Sequence, residues 1–259
     1  MGQGTPFRQR DGYRTGPRAT PLYPVLFTIH DLPVRAYAVF VGLGFLFAAV
    51  IRHVEVRRLG YQKTPGHMYV GVGALLGAMV GSKLGMVLFA ADMQELWQAA
   101  LSLDFTGKTV VGGIGGAYLG VEITKRLVGV THSTGDAFAV SVPVAQAFGR
   151  VGCFLNGCCP GIPLAASGPF GFLAVGGLFP QQLVETTADL GLAAVLWSIR
   201  RRPRPQGWLF RYYLGGYALI RLVLEFVRGD TGPRFGLTAV QWVCVATLLA
   251  LWSARRSGH

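Results

Sequence analysis

The stretch His67–Ala91, HMYVGVGALLGAMVGSKLGMVLFAA, decides the fold class. It holds one charged residue, Lys83, and no proline. A helix that crosses a bilayer needs about 20 mostly apolar residues, and this run meets that length. Its glycines fall at 71, 73, 77, 81 and 85. The near four-residue spacing sets small residues along one helix face, where a second helix can approach closely.

The rest of the chain repeats the pattern. Of 259 residues, 51% are hydrophobic and only 14% charged, with 37 glycines. Soluble domains carry about 25% charged residues, so the composition predicts an all-α integral membrane protein. Seven spans are expected: Val34–Ile51, His67–Ala91, Val110–Thr124, Asp136–Arg150, Gln181–Ile199, Trp208–Val227 and Leu237–Ser253. They form one membrane domain over residues 31–253. Residues 1–30 open with a polar, basic, Gly- and Pro-rich run that reads as a disordered tail. Residues 254–259 form a short C-terminal end.

The net charge is +12. Its basic residues cluster in short loops between apolar runs, which argues against a nucleic-acid partner and sets an orientation instead. Arg52, Arg57, Arg58 and Lys63 follow the first span. Lys125 and Arg126 follow the third, Arg200–Pro205 (RRRPRP) the fifth, and Arg255 and Arg256 the last. The alternate loops are poor in positive charge, and Val151–Pro180 has no charge at all. Basic loops stay on the cytoplasmic side. With seven spans the C-terminus is therefore expected inside and the N-terminus outside, against the preference of four arginines in the tail. The uncharged, apolar, Gly- and Pro-rich loop Val151–Pro180 is expected on the outer side, over a cavity, because non-helical backbone at that depth must be buried or line a wet space.

Charges within spans are costly and mark function. Tyr217, Arg221, Glu225 and Arg228 share one face of the sixth span, and Arg221 can pair with Glu225 four residues on. Arg150 closes the fourth span on the same side of the membrane. Taken alone, the stripe reads either as a structural intramembrane ion pair or as a site for an anionic headgroup; two arginines at similar depth, only one with an obvious carboxylate partner, favour the headgroup. The planar guanidinium fork matches phosphate oxygens. The cysteines Cys153, Cys158 and Cys159 have spacing poor for zinc, with no histidine near them in sequence. Packing or a disulfide suits them better, and no metal or other cofactor is implied. Cys244, alone in an apolar run, reads as core.

The run GRVGCFLNGCCPG resembles the signature of the prolipoprotein diacylglyceryl transferase family, through Gly149, Arg150, Gly152, Phe154, Asn156 and Gly161. Cys153 stands at the family's asparagine and Cys158 at its glutamate. Four further segments follow in the family's order. VRAYAVFVGLGF carries the family tyrosine as Tyr37. GSKLGMVLF has Lys83 in place of an arginine. FPQQLVE keeps Pro180, Gln182, Leu183 and Glu185, while Phe179 and Val184 replace His and Tyr. YALIRLVLEFVRGD matches through Tyr217, Arg221, Glu225 and Arg228, and Gln241 fits a glutamine opening the last span. The likeness covers about Asp31 to Ser253. At KTVVGGIGG, Val111 replaces a family histidine often cast as the base.

The resemblance implies a multi-pass enzyme of the bacterial inner membrane. Its reaction moves diacylglyceryl from phosphatidylglycerol to the lipobox cysteine of a prolipoprotein signal peptide, with loss of glycerol phosphate. Arg150 and Arg221 would be catalytic. Tyr37, Lys83, Gly152, Cys153, Asn156, Gly161, Gln182, Glu185, Tyr217, Glu225 and Arg228 would bind substrate. Two other readings stay open: a divergent homologue that binds or transfers another lipid group, and a thiol-redox membrane protein using Cys158 and Cys159.

Overall fold

A proline fixes where the functional helix begins. Pro143 inside a helix starting at Asp136 would lack a donor and clash with the preceding turn. In the computed structural model the chain instead makes a short 3-10 turn, Gly135–Ala137, and starts the helix at Ser141. Pro143 then falls in the first turn, where its missing N–H costs nothing. The fourth helix therefore runs Ser141–Leu155, not Asp136–Arg150. Asp136 is freed to cap another helix: its carboxylate accepts the N–H groups of Gly207 (2.7 Å) and Phe210 (3.0 Å). These donors open a helix and lack intrahelical partners.

The structure describes residues 22–30, 32–61, 66–87, 110–165, 167–168, 171–229 and 236–256. It is mostly helical, with β1 (Val25–Ile29) and β2 (Leu32–Arg35) followed by α1 (Ala36–Arg58), α2 (His67–Val87), α3 (Val110–Leu127), α4 (Ser141–Leu155), α5 (Gln181–Ile199), α6 (Trp208–Leu224) and α7 (Ala239–Arg256). These helices overlie the seven expected apolar segments. Among the described residues, α1 alone is long and apolar enough to cross a membrane by length and composition. The antiparallel pair β1–β2, with Ile29 opposite Leu32, differs from the expectation, since β1 falls in the stretch that reads as tail. The acidic loop Asp92–Lys108 lies outside the described residues.

The chain forms two units, one from Val54–Ser133 and one from the segments on either side. In the first, the glycine stripe does what its spacing predicts. A methyl group added at Gly77 would run into the Gly116 carbonyl oxygen, and one at Gly120 into that of Gly73. The backbones of α2 and α3 touch because neither carries side chains there. Gly77→Val is expected to cost at least about 1–3 kcal/mol through overpacking. Gly115→Val on α3, where an added Cβ meets nothing within 4 Å, should melt like the wild type; equal melting of both variants would rule out the stripe as a packing seam.

In the second unit α4 packs on α5, α5 on α6, and α6 on α7. Tyr23 N–H donates to the Leu155 carbonyl (3.1 Å), tying the β-hairpin to the end of α4. The α6 helix tightens into a 3-10 turn at Glu225–Val227, so it ends earlier than the expected Val227. Arg228 is extended, and Gly161 bridges to it. Ile162 N–H donates to the Val227 carbonyl (3.0 Å) and Gly229 N–H to that of Pro160 (3.1 Å). The uncharged loop is thus stitched to the end of α6.

Candidate functional site

Three helices bring their charges to one carboxylate. Glu185, in the second turn of α5, is 1% exposed. Its Oε2 lies 2.9 Å from Arg150 Nε on α4 and 3.3 Å from Arg221 Nη1 on α6. Arg221 Nη2 reaches Glu225 Oε2 at 2.6 Å, as the i,i+4 spacing predicts. Arg228 Nη1 stands 3.9 Å from the same oxygen. Thr238 Oγ1 donates to Glu225 Oε1 (3.1 Å), and its N–H donates to Gln241 Oε1 (2.9 Å). Gln241 N–H donates back to Thr238 Oγ1 at 3.2 Å.

From the sequence Arg150 has no obvious carboxylate, and the structure corrects this: Glu185 serves both arginines. Three guanidiniums here face two carboxylates, so this group of five keeps a net positive charge. Buried ion pairs survive only when geometry is good and remaining donors are used. Arg150 reaches Glu185 through Nε at 2.9 Å, and a guanidinium carries five N–H donors in a planar fork suited to an anion.

The other expected residues fall into three groups. Tyr217 is buried beside this cluster on α6 and stacks on Tyr213, whose hydroxyl donates to Gln146 Oε1 (3.1 Å). Gly152 faces α1, where an added Cβ would sit 3.2 Å from the Tyr37 Cα; that contact holds Tyr37 against the functional helix. Gly161 lies under the Phe179 carbonyl, with no room for a side chain. Gln182 Nε2 donates to the Cys158 carbonyl (2.7 Å) and fixes the turn after α4. Asn156 caps α4 through its N–H to the Gly152 carbonyl (3.0 Å). Lys83, half-buried on α2, belongs to the other unit. So does Val111, in the first turn of α3, whose side chain lies outside the described residues.

All four cysteines are free thiols, so no disulfide joins them. Despite their poor spacing, the sulfurs of Cys153, Cys158 and Cys159 all lie within 4.8 Å of one another. The Cys159 thiol is held well below its usual range. Hydrogen bonds from Cys153 and Cys158 do most of this, and the charges of Arg228 and Arg150 add to it. A cavity of about 70 Å³ sits under the loop, lined by Phe154, Pro160, Leu178, Phe179 and Gln182 among others. It has room for about two waters.

One residue has no counterpart among the expected site residues. Asp189, one turn beyond Glu185, is 0% exposed, and neither carboxylate oxygen has a hydrogen-bond partner among the described residues. It lies within electrostatic range of Glu185, Arg150 and Arg221. The signal is in the sequence: a carboxylate inside an apolar helix is expensive, and i,i+4 puts it on the Glu185 face.

A family profile described as "Prolipoprotein diacylglyceryl transferase" matches residues 24–254. Similar proteins named phosphatidylglycerol–prolipoprotein diacylglyceryl transferase occur in Aromatoleum aromaticum, Clostridium tetani and Dehalococcoides mccartyi. The first is 30% identical, covering 86% of this chain and 90% of the relative. The second is 27% identical, covering 87% and 94%. The third is 31% identical, covering 85% and 87%. The match spans the paired arginines, the bridging glutamate and the asparagine turn, and the chain belongs to the prolipoprotein diacylglyceryl transferase family.

Proposed function

We propose that this chain transfers the diacylglyceryl group of phosphatidylglycerol to the lipobox cysteine of a prolipoprotein. The observation that carries the reading is the pair of buried arginines, from separate helices, sharing Glu185. In the reaction the cysteine sulfur attacks a glycerol carbon. The thiol first gives its proton to water, then an S–C bond forms, the C–O bond to phosphate breaks, and glycerol phosphate leaves with the bonding electron pair. Charge develops on the departing phosphate, and preorganised guanidiniums are suited to hold it. Arg150 and Arg221 do this, exchanging part of their contact with Glu185 for the phosphate. Tyr37, Asn156 and Glu225 orient the headgroup and the two arginines.

The histidine replaced by Val111 is not indispensable on physical grounds. A cysteine thiol with pKa about 8.5 is already a few per cent thiolate at neutral pH. A base then adds about 10²-fold, while stabilising the leaving phosphate lowers the barrier by more.

The chain crosses the inner membrane several times, with its polar groups inside and apolar groups outside. Arg150, Gln182, Glu185, Asp189, Arg221 and Glu225 are buried, while Phe45, Leu219, Val223, Phe226, Leu249 and Trp252 are exposed. That is the reverse of a soluble protein and suits a lipid surround. Phosphatidylglycerol enters sideways from the bilayer, and the signal peptide approaches the loop after α4 on the periplasmic side. The N-terminus is periplasmic and the C-terminus cytoplasmic.

The direct test combines purified protein, phosphatidylglycerol vesicles and a lipobox peptide. The peptide is expected to gain the mass of one diacylglyceryl group, and a Cys→Ser peptide is not. No product from folded protein would sink the reading. Orientation has its own test in a Cys-free background. An impermeant maleimide added outside should label a cysteine at Ser102, in the acidic loop outside the described residues, and leave one at Ser198 unlabelled. The reverse pattern would put the site in the wrong compartment.

A further inference from the structure

Cys153 and Cys158 stand where the family signature has asparagine and glutamate, Cys159 follows directly, and the proposed transfer gives Cys158 and Cys159 no role. We propose that Cys153, Cys158 and Cys159 form a three-sulfur site for a thiophilic cation, Cu(I) in the first place.

The geometry is specific. The three sulfurs come from two places: Cys153 from the last turns of α4, Cys158 and Cys159 from the reversal that follows. Neighbouring residues normally point their side chains apart. Here the backbone is bent so that both thiols face the same point. Gly157 has φ 70°, and Cys159 has φ 56°, a left-handed conformation that non-glycine residues seldom adopt. Such a residue persists only where its surroundings hold it, and these conformations gather at functional sites. The reversal is held by Cys158 N–H on the Cys153 carbonyl (3.1 Å) and by Gln182 Nε2 on the Cys158 carbonyl (2.7 Å).

The sulfurs lie within 4.8 Å of one another. A metal at about 2.3 Å from three sulfurs in a plane needs them about 4.0 Å apart, so small χ1 rotations close the site. A disulfide needs about 2.05 Å between two sulfurs, and between neighbouring residues also a distorted backbone.

The donor set selects the ion. Among the described residues the cluster consists of these three thiols, with no imidazole or carboxylate. All-thiolate sites favour soft cations over Mg²⁺ or Ca²⁺. Structural zinc takes four protein ligands, and the cluster offers three. Cu(I) accepts three. Three thiolates with one Cu(I) carry two net negative charges. Arg150 and Arg228, both within electrostatic range of Cys159, balance them.

The site also has a place in the chemistry. Cys153 lies one turn from Arg150 on the same helix. A cation held there draws the thiolates together beside the arginine assigned to the lipid phosphate. Metal loading is therefore expected to slow transfer, a consequence that rests on the function proposed above. The binding measurements do not, so the two can fail separately.

The experiment uses the full chain, reduced and anaerobic in detergent. Cu(I) is supplied from its bicinchoninate complex. One equivalent per chain should be taken up, with X-ray absorption showing three sulfur neighbours near 2.3 Å. Zn(II) supplied from a chelator of matched buffering should bind at least tenfold more weakly. Cys158→Ser and Cys159→Ser should each weaken Cu(I) uptake at least tenfold, and Cys244→Ser should leave it unchanged. Nitrogen or oxygen in the first shell of the wild type would overturn the proposal, whatever the variants do. So would uptake no greater than that of a chain with all four cysteines replaced, stronger binding of Zn(II), or a protein isolated with two of the three joined as a disulfide.

Discussion

Arg221→Lys is expected to lose transfer by about 10²–10³-fold while the protein still inserts and folds. The size is that of removing one preorganised donor from a developing anion. The geometry says why lysine fails. Arg221 spans two carboxylates at once, Nη1 at 3.3 Å from Glu185 and Nη2 at 2.6 Å from Glu225. Its position is fixed from both sides. A lysine ammonium is one point charge on a flexible stem. It can keep one of the two pairs, which preserves folding, but not the paired donors that grip two phosphate oxygens. The loss should appear in kcat more than in KM, because the leaving phosphate carries more charge in the transition state than in the bound lipid. Unchanged turnover in the vesicle assay would remove Arg221 from the site.

Glu185→Ala is expected to damage the protein itself. The carboxylate is buried and holds Arg150 and Arg221 together. Removing one partner of a buried pair leaves charge uncompensated and costs about 3–5 kcal/mol. At roughly 2–4 °C per kcal/mol for a chain of this size, the melting midpoint should fall by about 6–20 °C. Phosphatidylglycerol should restore part of the loss, because its phosphate can replace the missing negative charge between the arginines. Adding a zwitterionic lipid tests that link. If both lipids restore stability equally, the arginines are not reading the phosphate. A midpoint indistinguishable from that of the wild type would mean that Glu185 does not carry the load its contacts imply.

The helices are legible because apolar runs and their interruptions are local. The boundaries of α5, Gln181–Ile199, coincide with the expected segment. The α2–α3 seam follows from glycines spaced near one helical turn, since only their absence of side chains lets backbones touch. The start of α4 departs from the hydropathy pattern because Pro143 moves it to Ser141 and leaves Asp136 outside the helix. The role of Asp136, capping α6 from a distant loop, is invisible to any local reading.

The candidate site divides in the same way. Arg221 with Glu225 follows from i,i+4 spacing, which fixes which side chains share a helix face. The sequence also determined the family, because five short motifs occur in order over most of the chain. It could not supply the partner of Arg150. That partner comes from α5, thirty-five positions along the chain, and only helix packing brings Glu185 between the two arginines. Asp189 is legible as a carboxylate on the Glu185 face of an apolar helix, but the two arginines within its electrostatic range reach it only when the helices pack. The sulfur cluster needs more than packing. Two adjacent cysteines turn toward a third only through a left-handed residue at Cys159 and a hydrogen bond from Gln182 on another helix. Spacing along a helix encodes which groups share a face. Which faces meet, and where the backbone departs from its preferred angles, is settled by the tertiary contacts that offset the strain.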